Sequence, residues 1–599
     1  MPKVDLMLIH APAVYDFRER SIMFGPISDM VPSTPVFEMY PLGLTTIGEY
    51  LERKGLRVRI VNLAGLMLHK KNFDVEKFLA TLEPGMFGID LHWMPHCHGS
   101  VEVAKILKRL HPDIPISFGG LSSTIFHDEL IQYDAIDYVL RGDSTEAPFC
   151  ELVSRVKRGA RYDCGDIPNL TWKDATGAVH KNELSWVPSD MNAISLDYAF
   201  PMKSVIRHRD MLSMVPFKDW LKYPVCAALT CRGCTHNCVT CGGSAETFRK
   251  HFGRDRVAFR DPEMLANDIS TVQKYIGGPI FLLNDFLQAG PDYTRKLITS
   301  MKGTLKNPIG FEFFGPPKEG ADFYKLLDAN LPDWSVEISV ESHDDAVRGA
   351  FGKSHYTMAQ IEDTIKDALN NGCSRFDLYF MTGLPTQTAD SVRETADYTK
   401  YLYEKFNYDK RLLVFSSPMA PFLDVGSMVF DNPEKYGYKL RAKTLEEHRA
   451  RMTMPSWKHI MNYESDAMSA EELVYATYDV GQALNKIKGE GGIIDAKTAA
   501  LTDARIVEAR EQMHKLDELV DADPTSADIA ALKDEFERLS ESTVAEKTEL
   551  NWPHSMTARH IINCGVLGVK EVAKGIAAGL KGEYPSAASD VPYPDQVNE

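Results

Sequence analysis

Long apolar runs are missing from this 599-residue chain: none reaches the ~18–20 positions that a membrane-crossing helix needs. The opening MPKVDLMLIHAP holds a short apolar run that gives way at once to proline and polar residues. It reads as a first buried strand, not as an export signal. Surplus positive charge is missing too. Lys and Arg number 67 against 84 Asp and Glu, a net charge of −17. Such a chain has no global field to recruit a polyanion, which sets nucleic acid aside as a partner. There is no internal repeat and no low-complexity tract. Cysteine is sparse, ten in all, yet five lie between 226 and 241. A cytoplasmic location is expected, and a reducing compartment makes such a cluster a metal site and not a set of disulfides. What remains, 44% apolar and 25% charged residues, is the balance of a globular protein of several domains.

Residues 1–165 alternate short β-rich runs with amphipathic helical patterns. The runs are VDLMLIH (4–10), RVRIVNL (57–63), MFGIDL (86–91), IPISFGG (114–120) and AIDYVLRG (135–142), and the clearest helices are GLTTIGEYLERKG (43–55) and SVEVAKILKRLHP (100–112). This alternation predicts an α/β fold with a doubly wound, Rossmann-like parallel sheet whose ligands bind beyond the carboxyl ends of the strands. Residues 166–222 break the rhythm and read as a connector, with a hairpin turning at Asp174–Gly177. A second β/α series spans 223–430, with strands at 225–231, 279–285, 309–315, 336–342, 375–383 and 412–418. Six units are too few for a closed eight-fold barrel, so a partial (β/α)6 barrel is expected, again with its site at the strands' carboxyl ends. From 431 to 599 the pattern turns mainly helical, with a charged hairpin over 502–520 and 525–541 broken at Pro524.

The strongest chemical signal is CRGCTHNCVTCGGS. Cys234, Cys238 and Cys241 follow C-x3-C-x2-C spacing directly after the first barrel strand. Three thiolates on one tight loop can hold three corners of a [4Fe–4S] cube and leave the fourth iron for substrate or cofactor. Gly233, Gly242 and Gly243 let backbone wrap closely around a bulky cluster. A structural zinc site completed by His236, Cys231 or Cys226 is the competing reading, although zinc spacing usually comes as two separated pairs. Cys226 and Cys231 are read as core residues of the preceding strand.

With that loop placed after the first strand of a partial barrel, the chain resembles the radical S-adenosylmethionine (SAM) superfamily. The resemblance implies that the vacant iron binds the amino and carboxylate groups of SAM. One electron then cleaves the sulfonium to methionine and a 5′-deoxyadenosyl radical. Thr240 departs from the aromatic residue that many members carry there, which leaves open how the adenine is held. Gly242 and Gly243, Asp285 with its neighbour Asn284, Glu341 and Ser342, and Gly383 and Pro385 fall where the family contacts SAM. Helix capping and turn formation account for the same letters as an alternative.

The segments PLGLTTIGEYLERKG, ISFGGLSST and IDYVLRGDSTEAPF resemble the cobalamin (B12)-binding domain fused to one large radical SAM subclass. The resemblance implies that Gly119 and Gly120 lie against the nucleotide tail of cobalamin, with Ser122, Ser123 and Thr124 near its phosphate or ribose. A Gly-rich turn with a Ser cap is the plainer reading of those residues. The D-x-H-x-x-G motif, whose histidine coordinates cobalt, is missing from its usual place after the first strand, so the corrin is expected without that ligand. His92, His96 and His98 lie just past the third strand, where the corrin edge should sit. One of them is a candidate to approach cobalt, and Trp93 is a candidate wall for the ring.

Together these imply three cofactors: a [4Fe–4S] cluster, SAM and cobalamin. The leading function is methylation of an unactivated carbon or phosphinate-like centre by a 5′-deoxyadenosyl radical and methylcobalamin. Cyclisation, rearrangement or carbon–carbon coupling with the same cofactors is the second, and a non-enzymatic metal- or B12-binding module the third. A flavodoxin- or ferredoxin-type electron donor is implied. The substrate is unread. MAPFLDVGS (419–427) and MNYESDAMS (461–469) are candidate pocket linings, and the helical 431–599 region is a candidate lid. No single residue stands out as catalytic.

Overall fold

Strands buried on both faces must be apolar along their whole length, and the first apolar runs meet that demand. In a computed structural model, β1 (Leu6–His10), β2 (Val58–Asn62), β3 (Met86–Asp90), β4 (Ile116–Gly119) and β5 (Tyr138–Leu140) pair in parallel, in the order β2-β1-β3-β4-β5. The structure describes residues 4–26, 34, 36–419, 422–522, 527–540, 544–545, 549–550, 557–580, 585–591 and 593–594. Every residue of β1, β2 and β3 is buried. Helices Leu42–Arg53 and Cys97–Leu110 supply the crossovers expected at those places. The strand order reverses between β1 and β3, which opens a crevice beyond their carboxyl ends.

The hairpin expected in the connector belongs to this sheet. β6 (Leu170–Lys173) runs antiparallel along β5, and β7 (Val179–Lys181) closes the edge. Gly177, at φ +84°, makes the turn between them.

The second sheet opens with β8 (Cys226–Leu229). A two-residue antiparallel pair follows, β9 (Cys231–Arg232) and β10 (Ala258–Phe259), and then β11 (Ile280–Leu283), β12 (Ile309–Phe313), β13 (Trp334–Glu341), β14 (Arg375–Thr382) and β15 (Leu412–Pro418). The six longer strands are all parallel, in the order β8-β11-β12-β13-β14-β15. Sequence periodicity carries through locally: helix Met358–Asn370 starts at Thr357 with a capping box to Gln360 and buries Ile361, Ile365 and Leu369.

Beyond the barrel the chain is mostly helical, with helices Ala470–Glu490, Ala496–Ala522, Lys533–Ser540 and Ala558–Leu580. The expected break at Pro524 lies outside the described residues. A short antiparallel pair, β16 (Tyr438–Leu440) and β17 (Tyr463–Ser465), was not anticipated. No helix among the described residues is long and apolar enough to cross a membrane.

One fully buried ion pair ties the connector, barrel and tail together. Arg260 Nε lies 2.7 Å from Asp268 Oδ2, and Arg260 Nη1 donates to the carbonyls of Met191 (2.6 Å) and Ile194 (2.7 Å). Tyr593 Oη donates to Asp268 Oδ1 at 2.6 Å. Removing one partner strands the other charge without water, so Arg260→Ala is expected to cost about 3–5 kcal/mol, read as a lowered urea midpoint.

Candidate active site

The cysteine loop leaves β9 through Gly233, at φ +100°, and ends where Ser244 caps helix Ala245–Phe252 by accepting from Thr247 N–H at 3.2 Å. The loop is braced on several sides. Ala245 N–H reaches back to the His236 carbonyl (2.8 Å) and Val239 N–H to the Phe351 carbonyl (2.9 Å). A Cβ on Gly352 would stand 2.6 Å from the Asn237 carbonyl oxygen, so that close approach requires glycine. Two sulfurs already receive backbone donors: His236 N–H to Cys234 Sγ and Gly243 N–H to Cys241 Sγ, each 3.3 Å.

The loop fits an iron–sulfur cluster on two counts. Among the described residues only His10, Asp90 and His92 bring three ligand atoms within 4.8 Å of one another. The cysteine sulfurs are therefore spread too widely for one zinc ion, whose ~2.3 Å bonds would hold them within about 4 Å. His236, Cys226 and Cys231 complete no such set either. Second, burial pushes the Cys238 thiol up to about 12 and raises Cys234 and Cys241 as well, and neighbouring sulfurs add to this at Cys238 and Cys241. Three such thiols ionise together only around a positive centre, which the irons of a [4Fe–4S] cluster supply. Cys226 and Cys231 are fully packed in the core.

Beside the loop, the carboxyl ends of β11 to β13 bring buried charge together. Glu341 sits at a β-bulge with φ +68°, and its Oε1 lies 2.8 Å from Lys353 Nζ, both side chains buried. Lys353 also donates to the Ser339 carbonyl at 2.5 Å, and its positive charge lowers the Cys234 and Cys238 thiols against the effect of burial. Ser342 Oγ accepts from Asp344 N–H (3.1 Å). Asp285, pushed up to about 7 by burial, accepts from Leu287 N–H (2.8 Å) and Phe314 N–H (2.9 Å), so it caps one loop and ties it to the next. Asn284, at φ +67°, donates to the Cys231 carbonyl (2.8 Å).

Gly383 and Pro385 form a buried turn whose polar groups are engaged within the chain. Gln387 Oε1 accepts from Gly383 N–H at 2.8 Å, and Tyr438 Oη donates to the Gly383 carbonyl at 2.7 Å. A Cβ on Gly383 would stand 2.4 Å from Tyr463 Oη. The β16–β17 pair thus closes over the end of β14.

On the first sheet, Gly120 (φ +117°) lies against His92, where a Cβ would come within 2.6 Å of His92 N and Cα. Around Gly119 the corresponding position has no atom within 4 Å, leaving open space. Ser123 Oγ donates to the Gly119 carbonyl and Thr124 Oγ1 to the Gly120 carbonyl, both at 3.0 Å, so these two hydroxyls serve the turn. Ser122 is buried beside them. His10 and Asp90 form a buried pair. Burial alone would lower the His10 pKa and raise that of Asp90, but each holds the other charged, so the shifts run the opposite way.

Sequence reasoning missed the residue that joins the two edges. Asp424, within the suspected 419–427 segment, accepts from the Trp93 indole (3.3 Å) with Oδ1 and from Gly242 N–H (2.9 Å) with Oδ2. One carboxylate therefore spans the end of β3 and the cysteine loop. Arg232 adds a second tie to Glu146 (2.7 Å) and Ser144 (2.9 Å). Lys353 was missed as well. No local motif marks either residue.

The family model described as B12 binding domain matches residues 30–152, and that of the Radical SAM superfamily matches residues 229–399. In that order they give the chain a B12-binding domain followed by a radical SAM domain, the modules that hold cobalamin and a [4Fe–4S] cluster with SAM. Among curated proteins, the chain is 28% identical over 209 residues to "Uncharacterized methyltransferase PH0819" of Pyrococcus horikoshii, covering 34% of this chain and 41% of that one. The chain thus spans about two fifths of that relative's length. It is 21% identical over 389 residues to cytidylyl-2-hydroxyethylphosphonate methyltransferase of Streptomyces wedmorensis, covering 58% of this chain and 69% of that one. The fold is shared with two solved structures. The cobalamin-dependent SAM radical enzyme OxsB with aqua-cobalamin has a TM-score of 0.51 at 13% identity, over 98% of this chain and 82% of that one. The radical SAM methyltransferase TsrM from Kitasatospora setae, with tryptophan and a SAM analogue, has a TM-score of 0.50 at 14% identity, over 82% and 89%.

Ligation converts each cysteine from thiol to thiolate and releases its proton. Iron loading of the anaerobic chain should therefore weaken as pH falls, measured as bound iron at fixed free iron. Cys238→Ala should lose the broad visible absorbance of the cluster while keeping its far-UV circular dichroism.

Proposed function

We propose that the protein is a SAM- and cobalamin-dependent methyltransferase acting on an unactivated carbon or phosphinate-like centre. The carrying observation is the Trp93–Asp424–Gly242 bridge, which fixes the cobalamin edge of the first sheet against the cysteine loop. When bound, cobalamin supplies the methyl carrier, and the cluster supplies the electron that cleaves SAM to methionine and a 5′-deoxyadenosyl radical. The chain's own part is to set the gap between the two edges and keep water out of it. Cys234, Cys238 and Cys241 would hold the cluster. Lys353, paired with Glu341, offsets the negative charge that collects beside those thiolates. Gly242 and Gly243 and the turns at Ser342, Gly383 and Pro385 would border SAM. Gly119, Gly120, Ser122 and Trp93 would border cobalamin, with Ser123 and Thr124 holding the shape of that turn.

Both curated relatives are named as methyltransferases, which supports methyl transfer. Electrons would come from a flavodoxin- or ferredoxin-type donor in the cytoplasm. The proposed modules are 1–165 for cobalamin, 166–222 as connector, 223–430 for the cluster and SAM, and 431–599 as the lid. The lid is supported by Tyr438 and Tyr463, which bond to the Gly383 and Met419 carbonyls, each at 2.7 Å.

The test is anaerobic reconstitution with iron, sulfide and hydroxocobalamin, followed by product analysis. S-Adenosylhomocysteine together with 5′-deoxyadenosine supports methylation. 5′-Deoxyadenosine alone points to rearrangement or coupling, and neither product overturns the reading. Asp424→Asn offers only one acceptor for two donors, so the edges should lose register. Iron and cobalamin contents should stay at wild-type levels, while methylated product per SAM cleaved falls on the order of 10-fold or more.

A further inference from the structure

Helix Ala558–Leu580 sits on the protein inside out. Its inward face is polar. His560 and Glu571 are buried, Asn563 Nδ2 donates to the Lys274 carbonyl at 2.7 Å, and Cys564 Sγ lies 3.7 Å from the Tyr275 carbonyl. Lys574 Nζ is 3.2 Å from Glu571 and 3.4 Å from Asp590, so the helix is pinned by charge to the tail that follows it. Leu567 is the one large apolar side chain of the helix that is buried.

The outward face is apolar. Ile562, Val566, Val569, Ile576 and Leu580 are all exposed, Val569 to 73% and Leu580 to 86%. With exposed Ala573 they recur at alternating steps of four and three, the spacing by which one helix seats along another. Ile561 and Val572, exposed as well, widen the stripe. Among the described residues nothing covers it. The stripe presents on the order of 800 Å² per copy, above the roughly 300–600 Å² of the largest apolar patch on a typical monomer and close to what each partner brings to a standard stable interface. Two glycines point the same way. A Cβ on Gly565 or Gly568 would meet nothing within 4 Å, so the chain's own packing sets no need for glycine there. Glycine weakens a helix interior, and what it offers beside an apolar stripe is room for a second helix to come close.

A lipid surface fits this face poorly. The helix carries no Trp, Tyr or Phe, its Lys574 is engaged inward, and a chain of net charge −17 is repelled by anionic headgroups. A second copy fits well. Val569 is the middle residue of the helix, with Ile562 and Ile576 equally spaced on either side. A two-fold axis through Val569 therefore sets Ile562 of each copy against Ile576 of the other, and the antiparallel helix dipoles attract. We propose that the protein is a homodimer whose two copies pair antiparallel through helix Ala558–Leu580, centred on Val569. The proposal depends neither on methyl transfer nor on the cobalamin assignment.

The test is sedimentation velocity of the full chain, prepared anaerobically, over a range of micromolar concentrations. The expected species has twice the 67.2 kDa of one chain. Val569→Asp buries two facing charges in the seam, so its dissociation constant should rise about 100-fold or more while its far-UV circular dichroism is unchanged. Ile562→Glu, away from the axis, should weaken the dimer too. Val569→Lys should also be monomeric, and an equimolar mixture of Val569→Asp and Val569→Lys should recover the dimer, which a folding defect would not allow. A wild-type chain that stays monomeric at tens of micromolar overturns the proposal, and so does a dimer that ignores all three substitutions. A mixture no more associated than its two parts overturns the two-fold pairing at Val569. A monomer that floats with vesicles of phosphatidylcholine and phosphatidylserine gives the face to a lipid surface, and overturns the proposal as well.

Discussion

Three thiols on a partly buried loop cannot all ionise unless something positive sits among them, and the rest of the site is arranged around that constraint. Burial raises each thiol, Cys234 raises Cys238 further, and both of them raise Cys241. The loop answers with backbone N–H donors to two sulfurs and with the Lys353 ammonium nearby. Lys353 is itself buried and needs Glu341, and Glu341 reaches it from a left-handed position at a bulge in β13. A requirement of charge thus spreads into a requirement of backbone shape.

Geometry between the halves rests on fewer groups. Asp424 uses both carboxylate oxygens, one toward the cobalamin edge and one toward the cluster loop, so a shift of either is felt at the other. Burial raises the Asp424 pKa, and this carboxylate also opposes ionisation of Cys241. Its placement therefore costs the cluster loop something in charge, and it fixes the register of the two edges.

Much of the fold was legible because its signals are local. Buried parallel strands are short apolar runs, and the run at 412–418 is β15 residue for residue. Helix Met358–Asn370 likewise opens on a capping box, Thr357 with Gln360, that involves only neighbours in the chain. The cysteine loop was legible for the same reason, since its spacing is set within eight residues. Asp424 was not, because its partners lie 182 and 331 residues away and a lone aspartate carries no periodicity. Nor was the β16–β17 pair, whose strands of three residues are too short to show alternation. The family resemblance sets Ser123 and Thr124 near the cobalamin phosphate or ribose, and in the structure both hydroxyls bond to the backbone of their own turn. Polar letters show that donors are present and leave open where they point.

The central claim is a four-iron cluster held by Cys234, Cys238 and Cys241 alone, with its remaining iron open to SAM. Mössbauer spectroscopy of the anaerobically prepared, iron-57-enriched protein, recorded with and without SAM, tests it most directly. The account predicts a spectrum in which one iron in four changes its isomer shift when SAM is added. A cluster whose irons all ignore SAM, or a chain that holds zinc in their place, would contradict it.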